Sequence, residues 1–195
     1  MGTIKATNIE PIATNGTVTL GSSGDTITIP SGATLDLSNA TQTGVGGVNT
    51  PAFRAYMSSA QTINDVTNTV VQYNAENFDT DNAYDTSTYR FTVPSGKAGK
   101  YFFGAHVYLT DAGSSIYSAD MQIRKNGINA SADNFAIDSA DFYAAIFKTT
   151  TILDLAVGDY VDVNVIANTA DGTSWVAFTT SPYQFAVFYG YKLIT

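Results

Sequence analysis

The fold of this chain is decided by the stretch Tyr101-Phe102-Phe103-Gly104-Ala105-His106-Val107-Tyr108-Leu109-Thr110. Side chains of a β-strand alternate between its two faces. One face of this strand carries Tyr101, Phe103, Ala105, Val107 and Leu109. The other face carries Phe102, Gly104, His106, Tyr108 and Thr110. Because both faces carry aromatic rings, and a soluble monomer rarely exposes a large apolar patch, we predict that one face fills the core and the other contacts another subunit.

Strand-like runs recur from Ala52 to the end of the chain. Turn residues separate them, as at Pro94-Ser95-Gly96, Asn126-Gly127 and Gly158-Asp159. Strands spaced by about 8–12 residues with such turns between them are typical of sandwiches and jelly rolls. The 12 Tyr and 11 Phe also favour strands. The sequence therefore predicts an all-β fold.

A short repeat precedes this region. Thr17–Leu20, Thr26–Ile29 and 34–37 share one alternating polar-apolar pattern, and each run offers two aliphatic side chains. Six small apolar side chains cannot form a stable core by themselves. We therefore predict a β-repeat stem that packs against other copies of the chain. Its trimer core would consist of Val18, Leu20, Ile27, Ile29, Leu35 and Leu37.

The composition divides the chain into two predicted domains. Residues 1–48 would form the stem, which ends in a hinge containing Gly44, Gly46 and Gly47. Residues 49–195 would form the head, whose chain restarts in an extended conformation at Pro51.

Charge and composition exclude several classes of protein. The net charge is −8 and the nine basic residues are scattered, so nucleic-acid binding is not expected. The chain has no cysteine, which excludes disulfides and thiolate chemistry. No apolar run approaches the length of a membrane span, and no signal peptide is recognisable at Met1–Asn8. We therefore expect no membrane insertion and synthesis without export.

Aromatic residues at fixed intervals indicate a family. The intervals are five, four and six residues between Tyr73, Asp79, Tyr84 and Phe91, and Gly99-Lys100-Tyr101-Phe102-Phe103 follows. This pattern resembles the aromatic motif of the globular head of complement component one-q, in the tumour-necrosis-factor-like superfamily. Two features depart from it: Tyr73 replaces a phenylalanine, and the loop before Gly99 is two residues longer. The closing Phe188-Tyr189-Gly190-Tyr191 also resembles the last strand of that family.

The resemblance implies a ten-stranded jelly roll that assembles as a homotrimer, with aromatic side chains at the three-fold axis. The head motif would comprise Tyr73, Asp79, Tyr84, Phe91, Gly99, Tyr101 and Phe103. Phe102, His106 and Tyr108 would then line the trimer interface of the head. The family is a class of binding modules without shared catalytic residues. The N-terminal part also resembles the stems of structural proteins of tailed, especially marine, bacteriophages.

The functional expectation is a trimeric structural appendage of a bacteriophage virion, either a head decoration or fibre, or a short tail fibre. Its N-terminus would anchor to a capsid or tail protein, and the protein would be made in the host cytoplasm and located on the virion. The alternative is a receptor-binding adhesin whose head loops bind a host-surface glycan or protein.

Catalytic and metal sites have weak signals. His106 is the only histidine, so a zinc site or a Ser-His-Asp triad would have to use it, and we assign it a structural role. Acidic stretches at 79–85 and 133–141 offer oxygen ligands, which leaves a structural calcium ion as an alternative. We predict no enzyme activity, no catalytic residue and no cofactor, although sequence alone does not exclude a carboxylate pair for glycoside hydrolysis.

Overall fold

The computed structural model describes residues 16–36, 49–110, 116–136, 144–170 and 184–193, and the backbone of 175–178. The chain divides into two compact units, Met1–Val45 and Gly46–Thr195. Among the described residues, no helix is long and apolar enough to cross a membrane.

The described part of the N-terminal unit, residues 16–36, contains turns at 23–24 and 31–32 and no strand. Each turn is closed by a backbone hydrogen bond of 3.0 Å. Asp25 N donates to Ser22 O, and Ala33 N donates to Pro30 O. The single chain therefore shows no strand at the three repeats, and their predicted packing against other copies stays a prediction. Large exposed fractions, from 41% to 64%, are found for Val18, Leu20, Ile27, Ile29 and Leu35. Leu37 lies outside the described residues.

Thirteen strands occur in the described part of the head, and none of its residues is helical. They are β1 Ala52–Tyr56, β2 Gln61–Ile63, β3 Thr69–Val70, β4 Ala75–Asp79, β5 Tyr84–Asp85, β6 Arg90–Thr92, β7 Gly99–Thr110, β8 Ile116–Lys125, β9 Ile128–Ala136, β10 Ala144–Leu155, β11 Tyr160–Thr169, β12 Trp175–Phe178 and β13 Val187–Lys192.

These strands form two sheets whose strands pair antiparallel. The seven-stranded sheet has the order β2-β12-β7-β13-β1-β4. Both β12 and β13 pair with one edge of β7, at successive positions, and β10 pairs with the opposite edge. The six-stranded sheet has the order β5-β6-β11-β8-β9, and β3 also pairs with β11. The all-β prediction is confirmed. The predicted number of ten strands is wrong, because short pairings of two or three residues, such as β2, β3 and β5, add to the long strands.

The core lies between the two sheets and is rich in aromatic rings. The predicted inward face of β7 is buried throughout. Phe53 of β1 lies at the centre of the aromatic cluster. Its ring centroid is 4.9–6.4 Å from the centroids of the rings of Tyr84, Phe91, Phe103 and Phe188. The six-stranded sheet contributes Phe91, Met121, Ile123, Val161, Val163 and Val165.

A buried carboxylate joins three strands on the outer side of the six-stranded sheet. Asp162 is fully buried, and its oxygens lie 3.3 Å from Arg90 Nε and 2.8 Å from Arg124 Nε. The Arg90 guanidinium also lies 4.2 Å above the centre of the Tyr160 ring. Because a buried charge is tolerated only when it is paired, this cluster fixes β6, β8 and β11 in register.

Two carboxylates hold turns of the head. Asp85 accepts hydrogen bonds from the Ser87 hydroxyl at 2.6 Å and from Thr88 at 2.9 Å, and these bonds lower its pKa to about 2. Asp159 accepts bonds from Lys125 and Asn126, each at 2.8 Å, which lower its pKa to about 2. Asp159 thereby connects the β8–β9 hairpin to the turn that precedes β11.

Acidification should therefore destabilise the head. The ordinary pKa of both groups is 3.8, so the folded values lie below it. The charged carboxylates stabilise the fold above about pH 4, and this stabilisation is lost as the pH falls towards about 2. We expect the melting temperature to fall across this interval, and to fall less in the double variant Asp85→Asn, Asp159→Asn. Equal slopes in differential scanning calorimetry would contradict the assignment.

Candidate subunit interface on the seven-stranded sheet

The side of the seven-stranded sheet that faces away from the core is here called the outer aromatic face. Directly opposed residues of antiparallel strands point to the same side of a sheet. Phe102 of β7 has Ile152 of β10 and Tyr191 of β13 as its opposed residues. The register thus gathers side chains from three strands on this face. They are Phe102, Gly104, His106, Tyr108, Ile146, Lys148, Thr150, Ile152, Val187, Tyr189 and Tyr191.

Aromatic rings on this face contact one another while remaining partly exposed. The ring centroid of Phe102 lies 5.4 Å from that of Tyr191 and 6.3 Å from that of Tyr189. The rings of Tyr108 and Phe185 are 5.9 Å apart. At the edge of the face, the side chains of Ile146 and Ile152 are 48% and 60% exposed. The two-faced strand predicted from the sequence is therefore present in the fold.

Glycine residues allow the aromatic rings to pack closely on both sides of the sheet. The ring of Tyr189 covers Gly104, and a Cβ atom at this position would lie 2.5 Å from Tyr189 Cζ. On the inward side, a Cβ atom at Gly190 would lie 2.5 Å from Phe103 Cδ1. Since neither distance is compatible with a side chain, both positions require glycine in this packing.

His106 lies within the outer aromatic face and is half-buried. Its Nε2 atom is 3.3 Å from the carbonyl oxygen of Gln184, and Lys148 is its opposed residue on β10. Burial lowers the pKa of His106, the bond to Gln184 raises it, and the positive charges of Lys148 and Arg54 lower it. The net effect lowers the pKa of His106 below its ordinary value, which favours the neutral imidazole. The same surface also includes Phe102 and Tyr108, the other two predicted interface residues.

The residues of the aromatic motif lie in the core and its turns. The Tyr84 hydroxyl donates to Tyr73 O at 2.9 Å, and the Tyr73 hydroxyl donates to His106 O at 3.2 Å. Burial raises the pKa of both phenols.

The Tyr101 hydroxyl donates to Lys97 O at 2.5 Å, and burial raises the pKa of Tyr101 to about 12. Phe91 and Phe103 are fully buried, and Gly99 adopts a positive φ of 140°. The five aromatic side chains of the motif are buried and build the core, whereas Asp79 and Gly99 are partly exposed.

The acidic stretch at 79–85 uses its carboxylates for internal hydrogen bonds. Asp79 accepts bonds from the backbone N–H groups of Asp81 and Tyr84, at 3.2 Å and 2.8 Å. In the second stretch, Asp133 Oδ2 accepts a bond from Lys148 N, and residues 137–143 lie outside the described part. No group of three His, Cys, Asp or Glu side chains suited to a metal occurs among the described residues.

Sequence reasoning did not assign Tyr189, Tyr191, Ile146 or Ile152 to the interface. In the structure, burial alternates along part of Val187–Lys192 and of Ala144–Leu155. Placing them beside Phe102 requires the strand order, which joins residues about 40 to 90 positions apart in the chain.

Comparisons with known proteins gave fold likenesses only. No protein-family model and no curated protein matches the sequence. The solved globular domain of the zebrafish complement 1qA protein is 16% identical, with a TM-score of 0.49, over 73% of this chain and 97% of that one. Murine APRIL is 13% identical, with a TM-score of 0.49, over 73% and 98%. Both TM-scores lie below 0.5, and the two-sheet architecture of this chain is established by its own strand pairing.

Proposed function

We propose that this chain is a trimeric structural appendage of a bacteriophage virion, without catalytic activity. The outer aromatic face carries the part of the proposal that concerns assembly, and the virion part rests on the resemblance of the N-terminal part to bacteriophage stems. The face presents partly exposed rings of Phe102, Tyr108, Tyr189 and Tyr191 beside two exposed isoleucines. An apolar patch of this kind marks a contact surface with another protein. A second copy of the same chain supplies matching apolar surface, and closed symmetry limits the assembly to a defined number of copies.

The N-terminal unit supports the same proposal by itself. Its described aliphatic side chains are exposed in the single chain, although each would gain about 0.8 kcal/mol per buried methylene group. Packing three copies around an axis would bury them and would give each strand a neighbour for hydrogen bonding. The head and the stem therefore both favour three chains over one.

In this proposal, residues 1–48 anchor the protein to a capsid or tail protein and the trimeric head projects outward. The protein is made in the host cytoplasm and resides on the virion. Three-fold presentation lets weak surface contacts act together, which raises the overall affinity without any new contact. No chemical step is required of the head.

Removal of residues 1–48 tests the anchor. The full chain should co-sediment with purified particles of its own virus, whereas residues 49–195 should remain in the supernatant as a trimer. Sedimentation of added, tagged protein with particles, followed by immunoblotting, measures the difference. A truncated chain that still binds particles would contradict the anchor assignment, and a full chain that never binds would contradict the virion proposal.

A cleft favours the adhesin as a second candidate. It lies between β9 and β10, has a volume of about 480 Å³, and is lined by Asp133, Asn134, Phe135, Ile146 and Phe147 among others. Carboxylate, amide and apolar groups in one cleft are the combination that binds a polar ligand with apolar faces, such as a glycan. Binding of the full chain to a glycan array, abolished by Asn134→Ala, would support this role, and an array without binding would oppose it.

A further inference from the structure

Three basic side chains lie together on the outer aromatic face and are here called the basic cluster. They are Arg54 of β1, which is directly opposite Tyr189, His106 of β7 and Lys148 of β10. His106 Nε2 lies 3.3 Å from Gln184 O, and the Arg54 guanidinium donates to Gln184 Oε1, so one residue contacts both. Lys148 is the residue directly opposite His106. The register and these contacts therefore bring the three basic groups to one place.

The two permanent cations of the basic cluster have no carboxylate partner. The salt bridges found in the described ranges include neither Arg54 nor Lys148. The half-buried Arg54 guanidinium contacts two neutral amide oxygens, those of Asn77 and Gln184, and the Lys148 side chain is exposed. Hydrogen bonds between two charged groups are roughly twice as strong as those between neutral ones. The basic cluster is therefore suited to bind a carboxylate from outside its own chain.

Carboxylates gather at one edge of the same sheet, which is here called the acidic edge. Glu76 is exposed on β4, and among the described strands β4 pairs with β1 alone, so it ends the sheet. Partial burial raises the pKa of Glu76, and the negative charges of Asp79 and Asp85 raise it further. None of the salt bridges within the described residues includes Glu76. Phe78, which is 50% exposed on the same strand, adds apolar surface beside these carboxylates.

Glu76 and Lys148 cannot meet within one chain. The strands that carry them, β4 and β10, are separated in the sheet by β1, β13 and β7. With about 4.8 Å between neighbouring strands, the two residues lie about 19 Å apart across the sheet. The charged atoms of a salt bridge lie within about 4 Å of each other. A second copy of the chain can bring the two opposite charges together, and a closed ring of copies requires two different patches that fit each other.

We propose that the acidic edge of one copy docks on the basic cluster of the next, so that Glu76 faces Lys148 and Arg54 across the subunit interface. This inference rests on the trimer proposed above and adds its direction, since each copy presents its outer aromatic face to the β4 edge of a neighbour. Packing two outer aromatic faces against each other would instead bring basic cluster to basic cluster, and such like-charge contacts are unfavourable. The charges therefore select the head-to-tail arrangement, while the surrounding rings supply apolar contact.

Charge reversal in the full chain tests this pairing. Glu76→Lys and Lys148→Glu each place like charges opposite each other, so each should raise the dissociation constant of the trimer by about 10-fold or more. The double variant Glu76→Lys, Lys148→Glu restores opposite charges and should recover most of the wild-type affinity. Sedimentation velocity over a concentration series measures the four proteins. Both side chains are exposed in the single chain, so the head should stay folded, which circular dichroism checks.

Ile128→Lys and Ile128→Glu are the controls, because they add a charge of either sign to the six-stranded sheet and should leave the dissociation constant unchanged. A wild-type trimer that neither single charge reversal weakens would overturn the pairing and leave the proposed trimer intact. Weakening in both single variants without recovery in the double variant would also overturn it, because the two residues would then act separately. A wild type with the mass of one chain would contradict the trimer itself, and the pairing with it.

Discussion

Replacement of Phe53 by alanine should lower the free energy of unfolding by about 3–5 kcal/mol. The ring is 1% exposed and contacts four other aromatic rings, contributed by both sheets. Its removal leaves a cavity at the place where the sheets meet, and the rigid rings around it cannot move in to fill the space. Since a domain is stable by only about 5–15 kcal/mol, this loss is a large fraction of the total. Urea unfolding followed by circular dichroism measures it.

Phe78→Ala is the matched control. Phe78 lies on β4 of the same sheet, but half of its side chain is exposed. We expect a loss of about 1 kcal/mol or less, because little apolar surface returns to water. If the two variants lost equal stability, Phe53 would not be at the centre of the core, and the packing described between the sheets would be wrong.

Ile152→Glu should dissociate the proposed trimer and leave the head folded. Ile152 is directly opposite Phe102 and is 60% exposed in the single chain, so a carboxylate there remains hydrated when the chain is monomeric. In the assembly the same carboxylate would be buried without a counterion, which costs several kcal/mol. We expect the dissociation constant to rise by about 100-fold or more, because each 1.4 kcal/mol is a factor of ten. Sedimentation velocity over a concentration series measures the change.

Ile128→Glu provides the same chemical change elsewhere. Ile128 begins β9 on the six-stranded sheet and is 74% exposed. This variant should sediment like the wild type. If it dissociated the assembly to the same degree as Ile152→Glu, the outer aromatic face would not be the specific contact surface. Circular dichroism spectra of both variants should match that of the wild type.

The sequence predicted the β-sandwich and the central strand because period-two alternation is a local property. Tyr101 to Thr110 carries this alternation over ten residues, and its inward side chains are all buried as expected. Three residues of the predicted aromatic motif are joined by hydrogen bonds in the structure. Tyr73, Tyr84 and Asp79 bind one another through side-chain and backbone atoms, so each interval sets the length of a turn or strand.

Features that depend on strand order could not be predicted in the same way. Ile152 and Tyr191 join Phe102 only through the register of β7 with β10 and β13. The stem repeats have a strand pattern in the sequence, but the described residues 16–36 of the single chain carry no strand.

The number of chains in the assembly is also the most direct test of the proposed function. Sedimentation equilibrium of the full wild-type chain at micromolar concentration should give three times the chain mass of 20.7 kDa, about 62 kDa. A folded, soluble protein with the mass of one chain under these conditions would contradict the account, because the outer aromatic face and the stem side chains would then stay exposed to water.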